Sequence, residues 1–569
     1  MAEYLSPGVY VEEFDSGPSP MQGVSTSTAG FVGVAEKGSV SGAPVLVTNP
    51  ADFSRKFGGY LQENAFGEYR YLAYAVNSFF SNGGSRAFIM RVAPSDAAKA
   101  AVADAGGTVS FTAKNPGAWG NGVSVIVSPG YKAKTQIFKD LGGTYVVKQA
   151  AGFHPGDVVA LEREDAVEYG LVTAVDGDRI ALKEPFTGDV VDEKLLPTTV
   201  LKSCEMQVEV RCGDAAERYE NVSFNVEVPN FICKVMAKSE LVDVIAPPCA
   251  EAKPPLEVLK TLFAAEGDAL RLGLEGGRDG TAGALSDADF IGKDEGPGSR
   301  TGLQAFLDNS DVSLMAIPGI VSANVQLSLV AHCEKLGSRF AVLDIPKDKR
   351  STTDIMAHRS IVDSDYCAMY HPWLQVFDPL DKKDIFIPPS GAVLGIFARS
   401  DNTRGVHKAP ANETVAACTG LMCNYNTGEQ DMLNPNGVNL IRRLPGLGIR
   451  VWGARTASSN PLWKYINVRR LFIYLEETIK ANTGWVVFEP NDELLWIRVK
   501  RTIEVFLEGV WRSGALAGGA AADAFFVDIG PSTMSKDDID NGRLICVIGV
   551  APVKPAEFVI FRLTQKTGE

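Results

Sequence analysis

No Cys-x-x-Cys pair occurs in this 569-residue chain, and none of its nine cysteines stands at zinc-finger spacing from any of its five histidines. The cysteines are odd in number and sit mostly in apolar settings. They read as buried free thiols of a protein made and folded in a reducing cytoplasm. No apolar run approaches the ~18 residues that a membrane-crossing helix needs. The start, MAEYLSPGVY, has no basic stretch followed by an apolar one, so no secretory signal is expected. Positive charge is also short. Lys and Arg total 55 against 69 Asp and Glu, a net charge of −14. Phosphate contacts need clustered cations, so nucleic acid is excluded as the main partner.

Catalytic signatures are equally scarce. The chain holds no Gly-x-Ser-x-Gly elbow, and Ser390 lies in Pro388-Pro389-Ser390-Gly391, which reads as a turn. Asp344, His358, His371 and His407 share its region without a recognisable nucleophile context. Gly273 to Gly283 is glycine-rich but lacks the Gly-Lys-Ser/Thr ending of a phosphate loop, so it reads as a turn-rich loop. His332-Cys333 and Cys418/Cys423 read as core positions rather than metal ligands. His154-Pro155 and His371-Pro372 read as turns. The expectation is a protein that is not an enzyme and holds no cofactor or metal.

What is present is ordinary globular composition, 45% hydrophobic and 22% charged, with a mean hydropathy of +0.01. That length exceeds one core and implies roughly three or four domains. Residues 28–92 read as compact α/β, with strands at Ala29–Ala35, Val45–Val47 and Ala87–Val92 and a short helix stopped by Gly58-Gly59. Tyr69, Leu72, Val76, Phe79 and Phe80 form one helical apolar stripe. Residues 96–235 change texture to alternating strands, with a hairpin turning at Asp176-Gly177-Asp178; one or two small barrels or sandwiches are predicted. Val312–Ile317, a helix over Ala323–Leu336 and Phe340–Asp344 make a βαβ unit with a parallel pair. Strands at Tyr366–Val376 and Val393–Ala398 are predicted to continue that sheet.

The last ~110 residues carry the strongest pattern. Val468, Leu471, Phe472, Leu475 and Ile479 make one helical stripe. A second helix, with Asn491 as predicted N-cap, aligns Leu495, Trp496, Val499, Ile503, Phe506 and Val510. Arg498, Arg501, Glu504, Glu508 and Arg512 fall on its other side. The chain then finishes on a strand-like tail with no local partner. Val9–Phe14, flanked by Ser6-Pro7-Gly8 and Ser16-Gly17-Pro18, is a second such orphan. Unpaired terminal strands ask for a partner outside the subunit.

Spread along the chain, SPGVYVEE (Ser6–Glu13), GVSTSTAGFVGVAEKG (Gly23–Gly38), FFSNGGSRAFIMRV (Phe79–Val92), PPSGAVLGIFARSDNTRGVHKAPAN (Pro388–Asn412), GVNLIRRLPGLGIRVWGART (Gly437–Thr456), FEPND (Phe488–Asp492) and APVKPAEFVIFRLTQ (Ala551–Gln565) stand in one order. In that order they resemble the contractile tail sheath family of phage tails and related injection particles. The resemblance does not cover residues 96–235. It implies an α/β and α+β multidomain fold, with strand arms at 1–20 and 556–569 and a sheath core from 21–95 and 456–555. It further implies a subtilisin-like α/β domain at 236–455 and an outward-facing β-rich insertion at 96–235. A sheath subunit would polymerise helically around an inner tube and contract to drive it through an envelope. Its partners would be its own copies, the tube protein, and baseplate and tail terminator proteins, without membrane insertion. It would assemble in a bacterial host cytoplasm as part of a virion tail or tail-like particle.

The resemblance also implies that Val9, Tyr10, Val11 and Phe14, with Phe558, Val559, Ile560, Phe561 and Leu563, belong to strands donated to neighbouring subunits. It suggests that the second C-terminal helix lies on the tube, with Arg498, Lys500, Arg501 and Arg512 as contacts. An envelope-degrading hydrolase and a receptor-binding tail protein are the alternatives.

Overall fold

A computed structural model describes residues 21–103, 109–162, 167–187, 200–245 and 269–560. Its centre is one nine-stranded sheet. In chain order the strands are β1 (Ala29–Val34), β2 (Val45–Val47), β3 (Ala87–Val92), β4 (Leu314–Ala316), β5 (Phe340–Asp344), β6 (Cys367–His371), β7 (Glu413–Thr414), β8 (Val438–Leu444) and β9 (Gly448–Val451). In space they run β2-β3-β1-β4-β5-β6-β8-β9-β7. The six central strands from β3 to β8 are parallel, and antiparallel pairs close both edges. Residues 29–92 and 314–451 therefore share one sheet.

Both faces of that sheet are buried, which explains its nearly unbroken apolar runs. Phe31, Ile89, Val342 and Tyr370 point into one core, and Val32, Met90, Leu343 and Met369 into the other. Helix α1 (Leu72–Ser81) and helix α3 (Ser390–Arg404) cover the first face; α2 (Ala323–Leu336) covers the second. The predicted βαβ unit is β4-α2-β5, capped by the Ser322 side chain and ended by left-handed Gly337.

Three sequence expectations are corrected here. Val393–Ala398 is not a strand but the middle of α3. Every residue from Ser390 to Ala398 is buried, so no polar stripe reveals the helical period. Tyr366–Val376 is two strands. It breaks at Pro372, and Leu374–Asp378 pairs instead with Lys383–Ile387 and Gly420–Leu421 in a separate sheet. Asn491 is not the cap; Asp492 is, accepting from the Leu495 amide at 2.9 Å. Asn491 instead accepts from the Trp496 indole at 2.7 Å.

Helices α1 and α3 pack with backbones almost touching. A Cβ built on Gly391 would lie 2.3 Å from the Ala75 carbonyl oxygen, and one on Gly395 2.3 Å from that of Phe79. Only glycine permits that approach.

Between β3 and β4 the chain forms β structure. Six strands, from Lys134–Asp140 to Val200–Ser203, close into a small barrel around Ile137, Tyr145, Leu161 and Ile180. Beside it stands a four-stranded sheet whose last strand is Leu270–Gly273.

Candidate assembly surface at the C-terminal helices and chain ends

Helices α4 (Ile466–Asn482) and α5 (Glu493–Arg512) follow the central sheet. The predicted stripes meet. Leu471 and Leu475 of α4 bury against Leu495, Val499, Ile503, Phe506 and Val510 of α5, with Val527 beneath them. Each such side chain contributes about 1.5–3 kcal/mol on leaving water. Trp496 and Phe472 are half-buried at the rim; Phe472 stands edge-on to Trp463 at 4.8 Å.

Against α5 lies a two-stranded antiparallel ribbon, β10 (Phe525–Ile529) with β11 (Cys546–Val550), in register from Phe525↔Val550 to Ile529↔Cys546. Among the described residues no third strand pairs with either edge. Both edges therefore present backbone donors and acceptors to a strand from elsewhere.

The chain ends are tied to this region by buried polar hooks. Arg455 grips Glu557 with both nitrogens, at 2.8 and 2.7 Å, while Asn434 donates to the same carboxylate at 2.7 Å and Tyr465 at 3.1 Å. Burial alone would raise the Glu557 carboxyl, but these bonds hold it below its ordinary value. The next three residues leave the surface: Phe558, Val559 and Ile560 are 73, 68 and 78% exposed, and pair with no strand. At the other end, Arg470 forms a doubly bonded pair with Asp401 (2.9 and 2.5 Å), both about 4% exposed or less. Thr26 joins it, its hydroxyl donating to Asp401 at 2.7 Å and its carbonyl accepting from Arg470 at 2.9 Å. Of the predicted arm residues, Val9, Tyr10, Val11, Phe14, Phe561 and Leu563 lie outside the described residues.

The outward side of α5 differs from a plain charged face. Arg512 pairs with Glu508 at 2.5 Å, Lys500 approaches Glu504 at 4.0 Å, and the Arg498 guanidinium lies 4.7 Å over the Trp485 ring. Arg501 is exposed and makes no ion pair among the described residues. Between these charges Leu494, Ile497 and Val505 are exposed at 72, 58 and 55%, and Phe488, just before the helix, is fully exposed. Phe488 also holds a φ of 70°, a left-handed conformation that is costly for a bulky side chain.

The hydrolase alternative meets a different arrangement. Ser390 is fully buried at the start of α3, and its hydroxyl donates to Asp344 at 2.7 Å. Asp344 also accepts from the Ser390 and Gly319 amides, at 2.9 and 3.1 Å. Burial pushes its carboxyl up to about 6 despite those bonds. No histidine stands between the two. His358 bonds Gln326 and His371 bonds Tyr425, and burial holds His371 down at about 4. A carboxylate that takes the serine proton donor directly, inside a closed core, secures a helix start and offers no general base to a substrate.

The buried cations were invisible to sequence reasoning. Arg469 and Arg470 are both buried, and Arg469 packs 3.6 Å over Trp463 and pairs with Asp365 at 2.7 Å.

Fold and surface together define a mixed α/β multidomain protein with several sheets. Residues 292–457 match the phage tail sheath protein central domain, and residues 458–566 the phage tail sheath C-terminal domain. A putative prophage major tail sheath protein of Pseudomonas aeruginosa is 26% identical over 285 residues, covering 48% of this chain and 71% of that protein. The tail sheath protein of Escherichia phage P2 is 26% identical over 219 residues, covering 36% and 54%. Among solved structures, the contracted PVC sheath complex of an extracellular contractile injection system aligns with a TM-score of 0.52 and 20% identity, over 100% of this chain and 99% of that one. The sheath tail protein of Listeria innocua aligns at 0.53 with 11% identity, over 94% and 96%. Residues 292–566 thus match, end to end, the central and C-terminal domains of the phage tail sheath family.

Proposed function

We propose that the chain is the structural subunit of a contractile sheath, polymerising helically around an inner tube and contracting to drive that tube through a target envelope. The observation that carries the reading is the coexistence, in one subunit, of a two-stranded ribbon with open edges and an exposed apolar segment, Phe558–Ile560, that pairs with no described strand. Residues 556–569 donate a strand through Phe558, Val559, Ile560, Phe561 and Leu563. Residues 1–20 donate another through Val9, Tyr10, Val11 and Phe14. Ribbons of neighbouring subunits receive them. Strand addition supplies backbone hydrogen bonds that survive rotation of one subunit against another. The doubly covered parallel sheet, built from residues 29–92 and 314–451, supports a subtilisin-like description of the α/β part of residues 236–455; residues 96–235 face outward, together with the strands Val242–Ile245 and Leu270–Gly273 that pair with them.

The outward face of α5, with Arg498, Lys500, Arg501 and Arg512, grips the tube in the extended state. Baseplate and terminator proteins bound the polymer, which assembles in the host cytoplasm as part of a tail or tail-like particle. No turnover is involved; the work comes from subunit packing.

The purified chain alone should form sleeves visible by negative-stain electron microscopy. A monodisperse monomer at high concentration argues against the function. Truncation after Ala556 should abolish sleeves, and normal sleeves from the truncated chain would remove the strand-donation claim.

A further inference from the structure

We propose that helix α4 is a rigid strut joining the roots of the two terminal arms, so that tension entering through one arm leaves through the other along a single helix. Residues 22–26 are laid antiparallel along α4. The Gln22 amide bonds the Asn482 side chain at 3.2 Å, and Asn482 returns a bond to the Gln22 carbonyl at 3.0 Å. The Val24 amide then meets the Thr478 hydroxyl at 3.3 Å, and Thr26 meets Arg470. The N-terminal arm therefore departs at the C-terminal end of α4.

The C-terminal arm departs from the opposite end. Tyr465, the residue before α4, holds Glu557, and Asn467 donates to the Val553 carbonyl at 3.2 Å. Between these two departure points lie the 17 residues of α4, about 25 Å of helix.

The side chains that make these contacts form one stripe. At 100° per residue, Asn467, Arg470, Thr478 and Asn482 fall within roughly a third of the helical wheel. Asn467, Arg470 and Thr478 are buried. A polar stripe inside a core is costly unless it is hydrogen-bonded. Here its partners include the first and last described segments of the chain. An apolar stripe would bury these segments equally well, but would let them slip along the helix. Directional hooks at four heights fix both departure points to one rigid body.

The inference rests on the sleeve-forming reading, and its test separates the two. Thr478→Val loosens the N-terminal root and Tyr465→Phe, which removes the hydroxyl bond to Glu557, loosens the C-terminal root; both substitutions conserve side-chain shape and neither strips a charge of its partner. Each variant and the double variant are measured in two ways: melting of the dilute subunit, and the critical concentration for sleeve formation. Dilute melting is expected to stay near wild type, while each single substitution raises the critical concentration about tenfold. Distant, independent substitutions multiply to about a hundredfold. Links in series do not, so the double variant should stay within about twice the worse single. Wild-type sleeves with multiplicative losses overturn the strut alone, as does a critical concentration that neither substitution moves. If either variant lowers dilute melting in step with its loss of sleeves, the hooks are merely structural and the strut fails. A wild-type chain that forms no sleeves overturns the functional reading, and the strut with it.

Discussion

Replacing Gly391 by alanine should destabilise this protein, although alanine is the better helix former. The exchange in an open helix is worth about 1 kcal/mol in alanine's favour, and burying one more methyl adds about 0.8 kcal/mol. Against this stands the geometry of α1 and α3. The new Cβ would lie 2.3 Å from the Ala75 carbonyl oxygen, 2.6 Å from its Cα and 2.7 Å from its carbonyl carbon. Ordinary carbon contacts sit at about 3.5–4.0 Å, so the helices must separate by about 1 Å. All three atoms are backbone, and no rotamer change relieves them. Separation would also loosen Phe79, Val393 and Phe397, which are fully buried around the crossing. Overpacking costs about 1–3 kcal/mol or more, and a rigid backbone contact belongs at the upper end. We expect a net loss of about 1 kcal/mol, read as a lower urea midpoint of the dilute subunit. Gly509 on α5 is the control, because its Cβ would meet nothing within 4 Å. Gly509→Ala should be neutral or stabilising by up to about 1 kcal/mol. If Gly391→Ala behaved like Gly509→Ala, the close packing of α1 and α3 would be refuted.

Two further outcomes follow from the buried acid and the exposed helix face. Asp344, pushed up to about 6 from 3.8, binds a proton in the folded state at pH values where the unfolded chain does not. Its burden on stability is therefore full above pH 6 and is relieved as pH falls through 6 toward 4, by up to about 3 kcal/mol. Urea midpoints of wild type minus those of Asp344→Asn should move in favour of wild type over that window, and a flat difference would contradict the burial argument. On α5, Arg501→Glu should weaken co-sedimentation with assembled tubes by a few-fold to about tenfold, more at low salt than at high. Equal binding at low salt would remove Arg501 from the tube contact.

How much of this was legible depended on whether a residue's environment is set locally. The β4-α2-β5 unit could be read because a short apolar run, Pro318-Gly319 and a capped amphipathic helix are all local signals. The α4 and α5 stripes could be read because each helix keeps a polar side. Helix α3 could not, because it is surrounded by α1 and the sheet, and burial on every side erases the period from which a helix is recognised. Asn491 and Asp492 are both good caps, and one hydrogen bond to Trp496 decides between them. The hooks at Arg455 and Arg470 were hidden for a longer-range reason. Their partners, Glu557 and Asp401, lie 102 and 69 residues away in sequence, so nothing near either arginine in the chain signals its burial. Leu494, Ile497 and Val505 fell outside the predicted core stripe. The structure adds that they form an exposed apolar component between the charges.

The choice of ion pairs at both chain ends has a physical consequence for an assembling subunit. A buried pair such as Arg470–Asp401 adds little net stability over apolar residues of the same shape, since desolvation offsets attraction. Removing one partner nevertheless costs about 3–5 kcal/mol, because a charge is left buried alone. The pair is therefore tolerant of nothing but its own geometry. It does not hold the segment more strongly than leucines would; it allows only one position for it. A chain end that meets a ribbon on another subunit, as proposed, gains from that property. Its reach is the arm length measured from a fixed point, and any slippage at the root would subtract from it. Glu557 sits where the packed body ends and Thr26 four residues inside Gln22, where the N-terminal arm departs; each is bonded to a buried arginine.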